Sequence, residues 1–378
     1  MALAPGLLLA EQVAALLQRL PHEGLVDDIA ALEPRFAEAQ DPALRFEVAK
    51  LLGFYWLRRG DNLRALHWSD AAQPGDEATA YNAIYACLHL GRWDDTVARC
   101  QAAIAAWGER SSFYDILAAC HGVAGRPHQA SAAGTRALAL KDAAATGAPW
   151  PLPPVPPFDG TDPTRNVIAF SLFGANAKYT DGAILNARAA PFLYPGWTVR
   201  VYADDTVPRP ALDSLVRAGA VVLTVGGMPS DPYGPVWRFM VADDPTVDRY
   251  LLRDADSLIN TRERVAVDEW IASGRHFHLM RDHYDHCELV LAGMWGGVRG
   301  ALPPMLPAVQ AWVAGQNQVL GRTTDQEFLR SHLWPTIRQS VLAHDSQFAF
   351  GPVAPFPALG AMPPGCWVGC QWHQHARI

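Results

Sequence analysis

The run Val167-Ile168-Ala169-Phe170-Ser171-Leu172-Phe173 reads as a strand, and a helical segment from Asp181 leads on to a second, Thr198-Val199-Arg200-Val201-Tyr202. A further helix around Leu212 to Arg217 precedes Val221-Val222-Leu223-Thr224-Val225. Strand and helix in alternation predict a mostly parallel sheet covered by helices, whose ligands sit beyond the carboxyl ends of the strands. Neither G-x-G-x-x-G nor a Walker P-loop accompanies the first strand, so the usual fingerprints of dinucleotide oxidoreduction and P-loop phosphoryl transfer are missing.

Upstream of this pattern the chain changes class. Residues 147–165 hold Pro149, Pro151, Pro153, Pro154, Pro156, Pro157 and Pro163, a stretch that cannot continue a helix and favours extended geometry. It predicts a semi-rigid linker between a helical domain over 1–146 and an α/β domain over 166–378. The first part is rich in Ala and Leu with helical periodicity. Leu90-Gly91-Arg92 and Ala124-Gly125-Arg126 lie 34 positions apart, with Gly60-Asp61 a less regular earlier copy. Each glycine is expected to mark a turn between two helices, with Tyr81 to Leu88 and Phe113 to Ala119 as first helices of successive repeats. Over about Ala43 to Ala143 this part resembles degenerate tetratricopeptide repeats, although a non-repeating bundle satisfies the same periodicity. No catalytic constellation falls here, so its expected role is to dock a partner or acceptor, and an Ala-rich repeat surface also suits self-association into a homo-oligomer.

Composition narrows the function classes. The 378 residues are 50% hydrophobic and 18% charged, with Gly 30 and Pro 30, a balance that excludes a mostly disordered or collagen-like chain. A formal charge of -7 offers no general attraction to nucleic acid or anionic lipid. No stretch approaches the roughly 20 apolar residues of a membrane span. The apolar start, Met1 to Ala10, lacks a basic region and is soon followed by Glu11, so it reads as the lead into a helix. Six scattered cysteines suit reduced thiols in a cytoplasm, with Cys366 and Cys370 the one close pair.

The densest chemistry is in Tyr250-Leu251-Leu252-Arg253-Asp254-Ala255-Asp256-Ser257, an apolar strand that runs into an acid-x-acid pair. Carboxylates at i and i+2 on an extended chain point to one side. Hard oxygen ligands of this kind suit Mn2+ or Mg2+, which leave positions open for the phosphates of a nucleotide diphosphate. A plainer reading is also available: Asn260 caps a helix with Glu263 three residues on.

The surrounding series is Arg262-Glu263, Ala266-Val267, Glu269-Trp270, Met280-Arg281-Asp282-His283 and Gly293-Met294-Trp295-Gly296. Together with Phe170 to Gly174, Lys178-Tyr179, Asn186, Tyr194 to Trp197, Tyr202-Ala203-Asp204 and Trp237-Arg238-Phe239, it resembles bacterial glycosyltransferase-like proteins of the GT-A type, over roughly Asn166 to His332. The resemblance implies a GT-A-like domain that moves a sugar from a nucleotide-sugar donor, a UDP-sugar foremost, to a protein, peptide or glycan acceptor. It implies Asp254 and Asp256 at the metal, and Ser171, Phe173, Gly174, Tyr179 and Asp204 at the nucleotide. A C-terminal histidine supplies a third metal ligand in many such enzymes, and here His373 is preferred to His375. Asp282 is implied on the sugar or acceptor side.

Other residues carry two readings each. Asp325, in Thr324-Asp325-Gln326-Glu327, looks like the family's acceptor-side acid and is the candidate base, while Thr324 with Glu327 also forms a capping box. Arg238 and Arg253 are shaped to hold diphosphate oxygens or to form internal salt bridges. Trp295 is a sugar platform or core. The cluster His276, His278, Asp282, His283, Asp285 and His286 does not have H-E-x-x-H spacing. Two other functions remain in view: an adaptor that holds a nucleotide sugar without turnover, and a glycosidase, which also needs paired carboxylates.

Overall fold

The computed structural model describes residues 5–23, 27–73, 75–316, 324–358, 362–363 and 365–372. They fall into two compact units, one ending at Ala137 and the other beginning at Leu138.

The first unit is helical. It contains α1 (Pro5–Glu23), a 3-10 segment Asp27–Glu38, α2 (Pro42–Arg59), α3 (Asn62–Ala71), α4 (Glu77–His89), α5 (Trp93–Trp107) and α6 (Ser111–Val123), and it ends within α7 (Pro127–Ala144). Aspartates start three of these helices: Asp41 accepts from the Leu44 amide, Asp61 from Arg64, and Asp76 forms a capping box with Thr79. Gly91 and Gly125 stand between α4 and α5 and between α6 and α7, at φ of 70° and 69°, a left-handed turn that glycine enters without a Cβ penalty. These are the glycines that the sequence spacing singled out. Leu9, Val13, Leu16, Ile29, Leu32, Val48, Leu52 and Tyr55 bury one face of the first elements together.

The second unit is an eight-stranded sheet in the order β3-β2-β1-β4-β6-β5-β7-β8. The strands are β1 (Asn166–Leu172), β2 (Thr198–Ala203), β3 (Val221–Thr224), β4 (Arg249–Arg253), β5 (Phe277–Arg281), β6 (Met294–Val298), β7 (Val341–Asp345) and β8 (Val353–Ala354). All neighbours pair in parallel except β6, which runs antiparallel to both β4 and β5. Helix α8 (Ala177–Leu193) joins β1 to β2 and α9 (Arg209–Arg217) joins β2 to β3. The short α10 (Ser230–Tyr233) continues as a 3-10 stretch, Gly234–Asp243, before β4. Then come α11 (Thr261–Ser273) between β4 and β5, α12 (Met305–Ala314) after β6, and α13 (Thr324–Phe328) and α14 (Trp334–Ile337) before β7.

The path matters more than the inventory. From β1 the chain steps outward through β2 to β3, then crosses back to place β4 on the other side of β1. That reversal leaves a crevice at the carboxyl ends of β1 and β4, where open α/β sheets bind ligands. The strands there are buried apolar runs, as two-sided coverage demands: every residue of β4 is buried.

Three local features differ from the sequence expectation or refine it. The helix expected from Asp181 starts at Ala177, because the Asn176 side chain accepts from the Lys178 amide and caps it there. The acid-x-acid pair is not on an extended chain: β4 ends at Arg253, and the Ser257 amide turns back to the Asp254 carbonyl at 3.2 Å. The proline-rich stretch forms no helix or strand before Pro163, and hydrogen bonds tie it down within the second unit. The Trp150 amide donates to Thr336 Oγ1 at 2.9 Å, the Pro153 carbonyl meets His276 Nε2 at 2.6 Å, and Asn166 Nδ2 donates to the Asp159 carbonyl.

Candidate active site

A cavity of about 520 Å3 opens at the β1/β4 crevice, within the size range of small-molecule sites. Ser171, Leu172 and Phe173 line it from the end of β1, and Asp254, Ala255, Asp256 and Ser257 from the end of β4. The turn after Arg253 brings both aspartates to one cavity, the outcome expected of an extended chain reached by a different backbone. Close packing holds that turn. A Cβ at Gly293 would overlap the Asp254 carboxylate, and one at Gly182 on α8 would overlap the Ala255 carbonyl, so both positions need glycine. Asn186 fastens the turn from below, donating to the Ser257 carbonyl at 2.7 Å and accepting from the Ile259 amide at 2.9 Å.

Arg238 organises the acids. Its guanidinium is buried, and one end donates to Asp254 Oδ1 at 2.5 Å and to the Arg253 carbonyl at 2.8 Å while the other donates to Asp325 Oδ2 at 2.9 Å. Ser171 Oγ accepts from the Arg238 amide at 2.9 Å, so the end of β1 positions this arginine. Burial works against the Arg238 charge, but Asp254 and Asp325 outweigh it and hold the guanidinium above its ordinary value. Asp325 is buried in the cavity wall at the start of α13, and its Oδ1 accepts from the Gln326 amide at 2.9 Å. Burial pushes its carboxyl up, Arg238 opposes that, and the like charge of Asp254 adds to it. A carboxyl above the usual aspartate range beside a ligand cavity is a candidate proton acceptor.

Asp256 has its own cation. Lys178 Nζ, from the first turn of α8, lies 2.7 Å from Asp256 Oδ2 and 5.0 Å from the centroid of the Tyr179 ring. Residues 365–372 close this side. Ser257 and Gln371 form an antiparallel bridge, Ser257 Oγ donates to the Gly369 carbonyl at 2.8 Å, and the Trp372 amide donates to the Asp256 carbonyl at 2.8 Å. Trp372 Nε1 reaches the Lys178 carbonyl at 2.6 Å. The sequence run through Trp372 thus packs on the acid pair, whereas His373 and His375 lie outside the described residues.

Of the other residues singled out from sequence, some reach the cavity and some do not. Phe173 is 38% exposed there and stands edge-on to Trp237, and Tyr179 also lines the wall. Gly174 and Asp204 sit one step outside: the Gly174 amide donates to Thr206 Oγ1, whose hydroxyl donates to Asp204 Oδ1. Arg253 does not line the cavity. Strand alternation turns its guanidinium into the interior, where Nε meets Glu263 Oε1 at 3.0 Å and another nitrogen donates to the Trp295 carbonyl. Glu263 follows the Asn260 cap, so the helix start and the acid pair coexist. Trp295 is core, 1% exposed and edge-on to Phe239 and Tyr250.

Asp282 is also outside the cavity wall, and its carboxylate is fully engaged. Oδ1 accepts from Arg262 at 3.0 Å and from Ser346 Oγ at 2.6 Å, and Oδ2 accepts from the Val368 amide at 3.0 Å. It therefore anchors the 365–372 segment. The histidine cluster disperses: His276 bonds Ser340 and Pro153, His278 bonds His344 at 2.9 Å, His283 stacks on Trp367, and His286 faces the cavity. Lys178 and His286 are the residues that sequence reasoning assigned no site role. In the sequence Lys178 enters the resemblance beside Tyr179 without a role, and His286 enters only within the histidine cluster.

Among the described residues no cluster of three or more His, Cys, Asp or Glu side chains is placed to hold a metal ion. Asp254 and Asp256 each give one carboxylate oxygen to a cationic side chain, and among the described residues the other has no hydrogen bond. Two such oxygens match a hard divalent cation that takes its remaining ligands from phosphate and water, so the donor set fits Mn2+ or Mg2+.

No family model matches this chain, and no curated protein does. Among solved structures, a mutant O-GlcNAc transferase from Thermobaculum terrenum is similar over 67% of this chain and 47% of that one, at 14% identity and a TM-score of 0.39. The chain therefore spans about half the length of that protein. So slight a likeness leaves the chemistry to be read from the cavity. No described helix is long and apolar enough to cross a membrane.

Proposed function

We propose that the α/β unit is a GT-A-like glycosyltransferase that moves a sugar from a nucleotide-sugar donor to a hydroxyl of a protein, peptide or glycan acceptor. One observation carries the reading: at the switch point of the sheet, Arg238 joins Asp254 of the acid pair to the buried Asp325 across one cavity. Sugar transfer by direct displacement uses a diphosphate site beside a proton acceptor, and this arrangement offers candidates for both. The sequence resemblance from Asn166 to His332 supports the same reading.

The nucleotide occupies the β1 side, with Phe173 and Tyr179 as its aromatic walls, and the diphosphate lies at the acid pair. Asp254 and Asp256 would hold Mn2+ or Mg2+, whose chemistry there would be to offset the negative charge of the diphosphate. His373 remains the proposed further ligand. Lys178 adds positive charge on the same side, and Arg238 keeps Asp254 and Asp325 oriented. Asp325 takes the proton of the acceptor hydroxyl. The acceptor oxygen forms its bond to the anomeric carbon as the bond from that carbon to the diphosphate oxygen breaks, and the electron pair leaves with the diphosphate. The helical unit is the proposed docking surface for the acceptor.

The test is a thermal-shift titration with UDP, GDP and their sugars, each with Mn2+ and with a chelator, because a ligand bound only by the native state raises the melting temperature. A metal-dependent shift confined to one nucleotide class, followed by release of that nucleotide when acceptor is added, is the expected result. Binding without release in the presence of glycan and peptide acceptors would favour the adaptor. Metal-independent shifts that survive Asp254→Ala and Asp256→Ala would remove the basis of the reading.

A further inference from the structure

His286 sits in the loop between β5 and β6, buried to 9% exposure yet lining the cavity. Its Nδ1 accepts a hydrogen bond from the Asp282 amide at 3.0 Å. A ring nitrogen that accepts carries no hydrogen, so the neutral imidazole must carry it on Nε2. A second hydrogen on Nδ1 would set two donors against each other, N–H against N–H, with no room for either to turn away. The amide that enforces this is itself immobilised. Asp282 is held through its side chain by Arg262, Ser346 and Val368, and the His286 amide donates to the His283 carbonyl at 2.9 Å. Burial, and then the neighbouring His283, push the ring down to about 3, so geometry and solvation agree on an uncharged ring.

The site therefore contains a fixed, neutral hydrogen-bond donor among three carboxylates and two engaged cations. A neutral donor can serve a hydroxyl or carbonyl oxygen without leaving a charge unpaired, as a lysine or arginine in its place would. The cation that suits phosphate, Lys178, lies in the first turn of α8, whereas Ala292, in the same loop as His286, donates its amide hydrogen to Gln326 next to Asp325. One loop thus puts the imidazole on the wall of the cavity that Asp254 and Asp325 also line, and the same loop is tied to the segment that carries the candidate base.

Resting on the transferase reading above, we infer that His286 presents Nε2–H to a hydroxyl or carbonyl oxygen of the transferred sugar and so selects and orients it in the cavity that Asp254 and Asp325 line. This role needs neither a metal nor acid–base work. It makes His286 a specificity residue for the sugar, with no part in holding the nucleotide.

Two side chains separate this role from that of a loop cap. In His286→Asn the amide oxygen stands where Nδ1 stood and still accepts from Asp282, but nothing reaches the cavity. In His286→Gln the longer amide carries its NH2 to the place of Nε2. The measurements are melting temperature, binding of the free nucleoside diphosphate, and kcat/KM for the nucleotide sugar that the wild type transfers. The expected result is that His286→Asn keeps its melting temperature and nucleoside diphosphate binding but loses about 10- to 100-fold in kcat/KM, the worth of one unmade hydrogen bond in a closed site. His286→Gln should recover most of that loss.

Unchanged kcat/KM in His286→Asn would overturn the inference, as would recovery by Asn with loss in Gln, which is the pattern of a structural cap. If both variants prove unstable, 15N spectra of the wild-type ring decide. An Nε2–H resonance that moves with nucleotide sugar and stays still with nucleoside diphosphate supports the role, and one that is insensitive to the sugar refutes it. A wild type that transfers sugar while His286→Asn is indifferent sinks only this inference, whereas a wild type that neither binds nor transfers any nucleotide sugar sinks the transferase reading with it.

Discussion

Both units of the molecule are rich in ion pairs, but they keep them in different places. In the helical unit the pairs are exposed and link one helix to a later one: Asp70 with Arg99, Glu77 with Arg110, Asp94 with Arg126 and Glu109 with Arg136. In the α/β unit Arg238 with Asp325, Arg253 with Glu263 and Arg281 with Asp345 are almost wholly removed from water. Exposed pairs are worth little each, because water screens them and long side chains lose freedom in forming them. Buried pairs carry a desolvation penalty that their attraction only partly offsets, so they are weak as stabilisers and costly to break. A chain that maintains several of them in one domain is holding charges in fixed places. The Arg238 pair lies at the cavity, where fixed charge has a chemical use.

The largest effects should come from cutting that network at its acids. Asp325→Asn should lower transfer by about 10²- to 10⁴-fold, the usual contribution of a general base, while nucleotide binding persists, as steady-state rates and a nucleotide titration will show. Asp254→Ala and Asp256→Ala should instead abolish metal-dependent nucleotide binding. Loss of nucleotide binding in Asp325→Asn would erase the distinction between these roles.

Next comes the cation. Arg238→Gln leaves Asp325 buried without its partner, and removal of one partner from such a pair costs about 3 to 5 kcal/mol, measurable in urea unfolding. The same substitution tests the titration. Burial raises the Asp325 carboxyl and Arg238 opposes the rise, so without Arg238 the acid limb of kcat/KM should move to higher pH. The stability sign is the reverse of the activity sign. A raised native value means that the native state binds the proton more tightly than the unfolded chain, so the contribution of Asp325 is full below the ordinary aspartate range and is lost as pH rises through the raised value. Urea midpoints of the wild type and of Asp325→Asn, compared across pH 4 to 7, will resolve it: the variant should lack that loss.

A smaller effect is expected at Gly293→Ala, where the added Cβ must displace the Asp254 carboxylate. Metal-dependent nucleotide binding should weaken by about tenfold or more, as expected when a ligating group is held out of place, while the unfolding midpoint changes less than in Arg238→Gln. The smallest effect belongs to the helical unit. Asp70→Asn removes an exposed pair with Arg99 and should alter unfolding by about 0.5 kcal/mol or less, and less again at high salt. A change of several kcal/mol there would break the contrast between the two units.

Much of this organisation was legible in the linear chain for a simple reason: it depends on neighbours in sequence. Strand β1 reads from its apolar run, the turns at Gly91 and Gly125 from their spacing, and the cap of α11 from Asn260 with Glu263. The acid pair was visible as well, although its carboxylates reach one cavity through a turn and not through strand alternation. What stayed hidden depends on partners far apart. Arg238 and Asp325 were both singled out, but nothing in a separation of 87 residues says that they touch. Arg253 and Asp282 look as available as Arg238 in the sequence, and packing engages one with Glu263 and the other with Arg262, Ser346 and Val368.

By itself, then, the sequence determined the class of each half, the alternation that builds a parallel sheet, and the residue types able to bind a diphosphate and accept a proton. These follow from local propensity and from the chemistry of single side chains. Only the tertiary structure decided which of those side chains face the cavity, which are turned into the core, and which nitrogen of His286 carries the hydrogen, because burial and hydrogen-bond partnership are properties of groups that the chain brings together from a distance.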